Sequence, residues 1–180
     1  MIYESYVYKD ELHKIANRME KRLTQKRWTE HSGFLYEKDV FIASFIIRKL
    51  IETGVKISTD TAQMDIILVT YMPTGTKPTI LNRDEWRKIY NVEHGHRVTK
   101  KLQDICNALI HSYVWAPYFE KEGELSGFVF TSDFEKTKGL FHYALKDFIS
   151  MLKKVGDDYP CSLKLEYCKE KEDYVYSSVK

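Results

Sequence analysis

Between Asp10 and Gln25 the apolar residues Leu12, Ile15, Ala16, Met19 and Leu23 recur at spacings of three and four; between Tyr36 and Thr53 the set Val40, Phe41, Ser44, Phe45, Ile47 and Leu50 repeats the pattern as a broader arc. That spacing puts residues on one face of an α-helix. The first third of the chain is thereby constrained to two amphipathic helices that need a common core. The stretch "RWTEHSGF" (27–34) breaks them apart, and Gly54 stands where a helix C-terminal cap is wanted. The second helix, with the wider arc, is expected to be the most buried element.

The following segments are read more locally. Residues 59–72, "TDTAQMDIILVTYM", suit a strand by the β-branched run after Asp65 and a helix by length and the Ala-Gln-Met start, with the strand preferred. "PTGTKP" (73–78) is a loop, and Asn82 with Glu85 makes a capping-box arrangement that predicts a short helix to about Tyr90. A long helix is predicted from His96 to Trp115, ending near Pro117 because the residue before proline avoids helical angles. "GFVFTSD" (127–133) and "GLFHYAL" (139–145) read as a β-hairpin, "KDFISMLKKVG" (146–156) as a helix, and "CSLKLEYC" with "DYVYSSV" as a last hairpin or as an edge strand with a loose tail. The resulting expectation is a single α+β domain over 1–180: a mainly helical part at 10–116, forming an N-terminal helical bundle, and a hairpin–helix–hairpin part at 123–180.

Charge narrows the function classes. With 28 basic and 26 acidic residues the formal net charge is +2, too small to make phosphate binding the leading idea. The basic runs "KRLTQKR" (21–27) and "HRVTKK" (96–101) read first as solvated faces. Cys106, Cys161 and Cys168 are odd in number and lack C-x-x-C spacing, so a reducing, cytoplasmic location is expected. No apolar stretch approaches the length of a membrane span, and no membrane association is expected.

The helix predicted at 96–115 has two faces. Taking Leu102 as zero and turning about 100° per residue, Ile105, Cys106, Leu109, Ile110 and Tyr113 fall within about 80° of it. Lys100, Asp104, Asn107 and His111 gather nearly opposite, between about 140° and 200°. This second stripe reads either as a solvated face, with Lys100 and Asp104 paired, or as a site in which Asn107 and His111 hold one polar ligand between them. An imidazole is the side chain most easily tuned for proton transfer near neutral pH, so Asn107 and His111 are the candidate catalytic pair.

The segment "CNALIHSY" within that helix resembles the motif of the HEPN family (higher eukaryotes and prokaryotes nucleotide-binding), in which an Arg is followed after four to six residues by His, often with a polar residue just after the Arg. Asn107 matches the polar residue and His111 the histidine; Asp104, Ile105 and Cys106 occupy the places where the Arg would fall. The resemblance covers roughly residues 36–116. It implies a helical bundle that dimerises through its motif helices, and a role with RNA as a bacterial or mobile-element defence or toxin-like protein. Such a protein is either a metal-independent RNase or a module that only binds. Asp104 and Lys100 would then be binding residues, and Arg48 or Arg97 would supply the missing cation from elsewhere in space. No cofactor is implied.

Other constellations point to turns and surfaces. His94 and His96 lack further ligands for zinc, "SDFEKTKG" (132–139) lacks the Walker ending, and "GDDYP" (156–160) suits a turn better than a Mg²⁺ site. His142 is expected on an exposed strand position. Tyr3, Tyr6, Tyr8, Tyr174 and Tyr176 mark both ends of the chain with a residue type suited to interfaces. Two functions are therefore expected: a HEPN-like RNA-associated protein, or a non-catalytic protein–protein interaction or assembly subunit, in either case with a homodimer or a protein partner.

Overall fold

The computed structural model describes residues 2–120 and 123–180. Helices α1 (Tyr6–Arg22) and α2 (Glu30–Glu52) form where the periodicity predicts, each starting earlier than expected. Thr29 sets the start of α2, its hydroxyl oxygen accepting from the Ser32 amide at 3.2 Å. Gly54, at φ 73°, leaves α2 through the left-handed region that glycine occupies without strain. Leu12, Ile15, Ala16, Met19, Val40, Ile47 and Leu50 are fully buried, but the buried arc on α2 is narrower than the spacing predicts: Phe45 is 53% exposed.

The expected N-terminal helical bundle is not what this chain builds. Helices and strands alternate along it: a single-turn α3 (Thr59–Ala62), β1 (Asp65–Pro73), a 3-10 turn (Arg83–Glu85), α4 (Trp86–Ile89), β2 (Tyr90–Lys101), α5 (Leu102–Ile110), β3 (Ser112–Phe119), β4 (Leu125–Ser132), β5 (Leu140–Ala144), α6 (Leu145–Asp157), β6 (Leu163–Cys168) and β7 (Asp173–Val179). The class is α+β. A five-stranded antiparallel sheet of order β2-β1-β5-β4-β3 and a two-stranded ribbon β6-β7 replace the bundle. Residues 59–72 contain both of the structures read for them, a helical turn and then a strand.

The long helix at 96–115 shrinks to the nine residues of α5, because its two ends are strands. Residues 90–101 pair with β1 from Pro73↔Tyr90 to Asp65↔Lys101, so ladder hydrogen bonds override the helical reading. Gly95 admits this pairing: a Cβ there would stand 2.4 Å from Val69 Cγ1 and 3.0 Å from Tyr71 Cε1. Pro117, read as a helix stop, lies in β3, an edge strand paired only with β4, where a missing N–H can face outward. Asn82 makes no capping box; its Oδ1 accepts from the Thr79 amide at 2.7 Å and its side-chain amide donates to the Lys77 carbonyl, closing a loop.

The sheet is covered on both faces. On one side Ile66, Leu68, Phe128, Phe130, Phe141 and Tyr143 join residues of α1, α2, α5 and α6 in the main core. On the other, alternate residues Tyr71, Val129 and Leu140 meet Trp86, Ile89 and Tyr90 from the β1–β2 connection in a smaller cluster. Two-sided burial explains why Phe128, Val129 and Phe130 follow one another in β4, a strand buried at every residue but Ser126. Since β2 and β3 occupy opposite edges, α5, which joins them, must cross the main-core face of the sheet. Leu102, Ile105, Cys106 and Leu109 seal that crossing at 0–1% exposure, and the opposite stripe of α5 is left looking outward.

Candidate functional site

The outward stripe of α5 forms one wall of a cleft of about 600 Å³. Asp104, Asn107, Ala108 and His111 come from α5 and the residue after it, Lys100 from the end of β2, and Ser132, Asp133, Phe134 and Glu135 from the β4–β5 turn. Four residues of the polar stripe read from the sequence are thus brought together, although Lys100 arrives from a strand and His111 caps the helix rather than lying within it. Its amide donates to the Asn107 carbonyl at 3.0 Å. The sequence reading missed the second wall. "SDFEKTKG" was legible as a turn, and nothing local to it indicates which helix it faces.

The turn is tightly held. The amides of Glu135 and Lys136 donate to the Ser132 carbonyl at 3.1 and 2.9 Å, and the Gly139 amide donates to the Glu135 carbonyl at 3.1 Å. Lys100 Nζ lies 2.5 Å from Glu135 Oε1 and 4.3 Å from the centre of the Phe141 ring, a partly buried ion pair that ties β2 to the turn. Lys136 is similarly occupied, 2.7 Å from Asp133 Oδ1 and stacked over Tyr113. Phe134, 80% exposed, stands at the mouth with Lys138 Nζ 4.2 Å above its ring.

Two acceptors on the α5 wall of the cleft have no partner among the described residues. Asn107 Oδ1 is buried and has no hydrogen-bond partner, and Asp104, one helical turn earlier, has no ion pair among the described residues. Lys100 thus does not pair with Asp104, as the solvated-face reading had it. Among the described residues the His111 imidazole makes no hydrogen bond to the side chain of Asp104, Asn107 or Ser132, so it lacks the orienting partner that a general base normally has. Nor does any group of three His, Cys, Asp or Glu among them stand close enough to hold a metal ion.

Neither candidate arginine reaches the cleft. Arg48 pairs with Glu52 at 2.8 Å on α2. Arg97 lies opposite Val69, whose side chain packs on the smaller cluster, so it sits on the face of the sheet away from α5. Cys106 points into the main core, where burial pushes its thiol up to about 12 and keeps it protonated and inert. Among the described residues no helix is long and apolar enough to cross a membrane. Comparison with known proteins gave no match to this chain, whether among family models, curated proteins or solved structures.

Proposed function

We propose that this protein is a non-catalytic interaction subunit whose cleft takes a cationic side chain, a guanidinium or ammonium group, from a partner protein. The observation that carries the reading is the pair of free acceptors one turn apart on α5, the Asp104 carboxylate and the buried Asn107 Oδ1. A buried acceptor without a donor costs about 1–3 kcal/mol, which an incoming N–H recovers. The charge pairing agrees: of the three carboxylates lining the cleft, Glu135 is paired with Lys100 and Asp133 with Lys136, which leaves Asp104 as the carboxylate without a cation among the described residues. That carboxylate attracts a cation and repels a phosphodiester.

The metal-independent RNase reading has one observation in its favour, that Asn107 and His111 share the cleft. One NMR titration separates the two, using agmatine as a guanidinium probe and a short oligouridine as the RNA probe. Agmatine is expected to shift the resonances of Asp104, Asn107 and His111, and Asp104→Asn to weaken its binding about tenfold, the loss of one charge-assisted hydrogen bond. Oligouridine is expected to leave those resonances in place. The opposite pattern, with RNA cleavage lost in His111→Ala, overturns the proposal in favour of the nuclease.

A further inference from the structure

The β6–β7 ribbon presents an apolar face that this chain does not cover. The register pairs Leu165 with Tyr176 and Tyr167 with Tyr174, and the alternation of strand side chains puts all four, with Leu163, on one face. The other face carries Lys164, Glu166 and Asp173, with Lys164 and Glu166 paired at 2.8 Å. A two-stranded ribbon is marginal by itself in water and normally lays its apolar side on something. Here the five apolar residues remain between 48% and 64% exposed. The body of the protein holds only the base of the ribbon: Val179 is buried and its amide donates to Thr59 Oγ1 at 3.1 Å, and Tyr176 lies against Gly54.

Tyr176 also lines a neighbouring cleft of about 690 Å³, together with Tyr3, Tyr8 and Phe45, all exposed. Ridge and cleft therefore form one continuous apolar surface. At roughly 200 Å² for each aromatic side chain, the exposed fractions of the six aromatic residues amount to about 700 Å², and Leu163 and Leu165 bring the patch to about 800–900 Å². That exceeds the largest patch usual on a monomer, about 300–600 Å², and equals one side of a standard protein–protein interface, about 800 Å².

We infer that this surface is the interface of a two-fold homodimer in which the Tyr167–Tyr174 ridge of each copy fills the cleft of the other. Three features fit a second copy of this chain. The area matches what a stable dimer buries per partner; the surface carries both a projecting and a receding part, as a self-complementary contact needs. The cleft's rim also holds both signs of charge, Lys49, Lys56 and Glu52, and the formal net charge of +2 sets up little repulsion between copies. The inference is independent of the Asp104–Asn107 cleft, which is lined by other elements.

Sedimentation velocity of the full chain from about 1 to 100 μM, the range over which ordinary dimers assemble, tests it. The wild-type chain is expected to sediment as a dimer. Tyr174→Lys and Phe45→Lys, each at an exposed position and on separate elements, are each expected to weaken the dimer by about 30-fold or more, as at interface hot spots. Circular dichroism should show the native spectrum for both; if one variant misfolds, the other still gives the reading. A monomer at every concentration assigns the face to a different protein and overturns the inference, as does a dimer that survives both substitutions.

Discussion

Asp39→Ala is expected to lower the stability of the fold by about 3–5 kcal/mol, the range for removing one partner of a buried ion pair. Asp39 is 1% exposed on α2, and its carboxylate accepts from Arg18 of α1 at 2.9 Å from Nη2 and 3.2 Å from Nε. Arg22 stands 3.7 Å away on the same helix. The two arginines respond differently to the loss. Arg18 is 42% exposed and keeps Glu11 at 3.0 Å, so water and that carboxylate can absorb the change. Arg22 is 9% exposed, lies beside the Trp28 and Tyr36 rings, and already has an unpartnered Nε. Without Asp39 it keeps, among the described residues, only the Ser32 carbonyl at 3.3 Å, and the cost of the substitution is mainly that of a stranded guanidinium.

Urea unfolding followed by circular dichroism measures the effect, and a thermal scan should show a drop of roughly 6–20 °C for a chain of this size. Asp39→Asn keeps the shape without the charge and is expected to cost about 1.5–3 kcal/mol. Replacing the whole group, Asp39→Leu with Arg22→Met, should recover much of the loss, since a buried ion pair exchanged for apolar side chains is often close to neutral. A loss below about 1 kcal/mol for Asp39→Ala would mean that the network holds no more than a surface pair does.

Asp39 also illustrates what the sequence left unreadable. The helical period identified Leu12, Ile15, Met19, Val40 and Ile47 as core because burial of apolar residues follows local spacing. It was silent on Asp39, and the basic run 21–27, read as a solvated face, contains Arg22, which is buried; the burial of both depends on two helices placing opposite charges together. The same limit explains the long helix that became β2, α5 and β3. Ile105, Cys106 and Leu109 obey the wheel, and within 102–110 the prediction holds. At Val98 and Tyr113 the apolar residues fit the wheel too, but the strand ladders decide their state: Val98 pairs with Leu68, and Tyr113 sits at an irregularity between the Ser112 and Val114 pairs with β4. Lys100 reaches the cleft from a strand and not from the helix that the spacing predicts: it lies on the main-core side of β2, two residues before α5 begins. Half of the cleft was legible as a polar helical stripe; the other half, Ser132 to Glu135, depends on a hairpin turn whose position over α5 no local pattern carries.

His142 was expected on an exposed strand position, and instead most of its ring is covered. It lies on the smaller-cluster face of β5, 4.5 Å from the Tyr118 ring and 6.3 Å from Tyr71, with Nδ1 3.5 Å from the Tyr71 hydroxyl. Nε2 is buried without a partner and lies over Gly127, where a Cβ would come within 2.8 Å of it. Burial lowers its pKa from 6.5 to about 4. The folded state therefore resists a proton that the unfolded chain accepts. Above about pH 6.5 the imidazole is neutral in both states and protonation costs the fold nothing; as pH falls from 6.5 towards 4 the unfolded chain gains a proton first, and stability declines; below 4 both states are protonated and the loss is complete. The wild-type chain is thus expected to lose about 2–3 kcal/mol from this residue between pH 7.5 and 4.5. His142→Phe keeps an aromatic ring against Tyr118, has no proton to gain, and should remove that share of the acid limb while remaining at least as stable at pH 7.5. Carboxylates titrate in the same range in both proteins, so the quantity to measure is the difference between the two urea-unfolding stabilities at each pH. That difference is expected to widen steadily on acidification, and parallel curves would show that the imidazole is hydrated and takes its proton in the folded state.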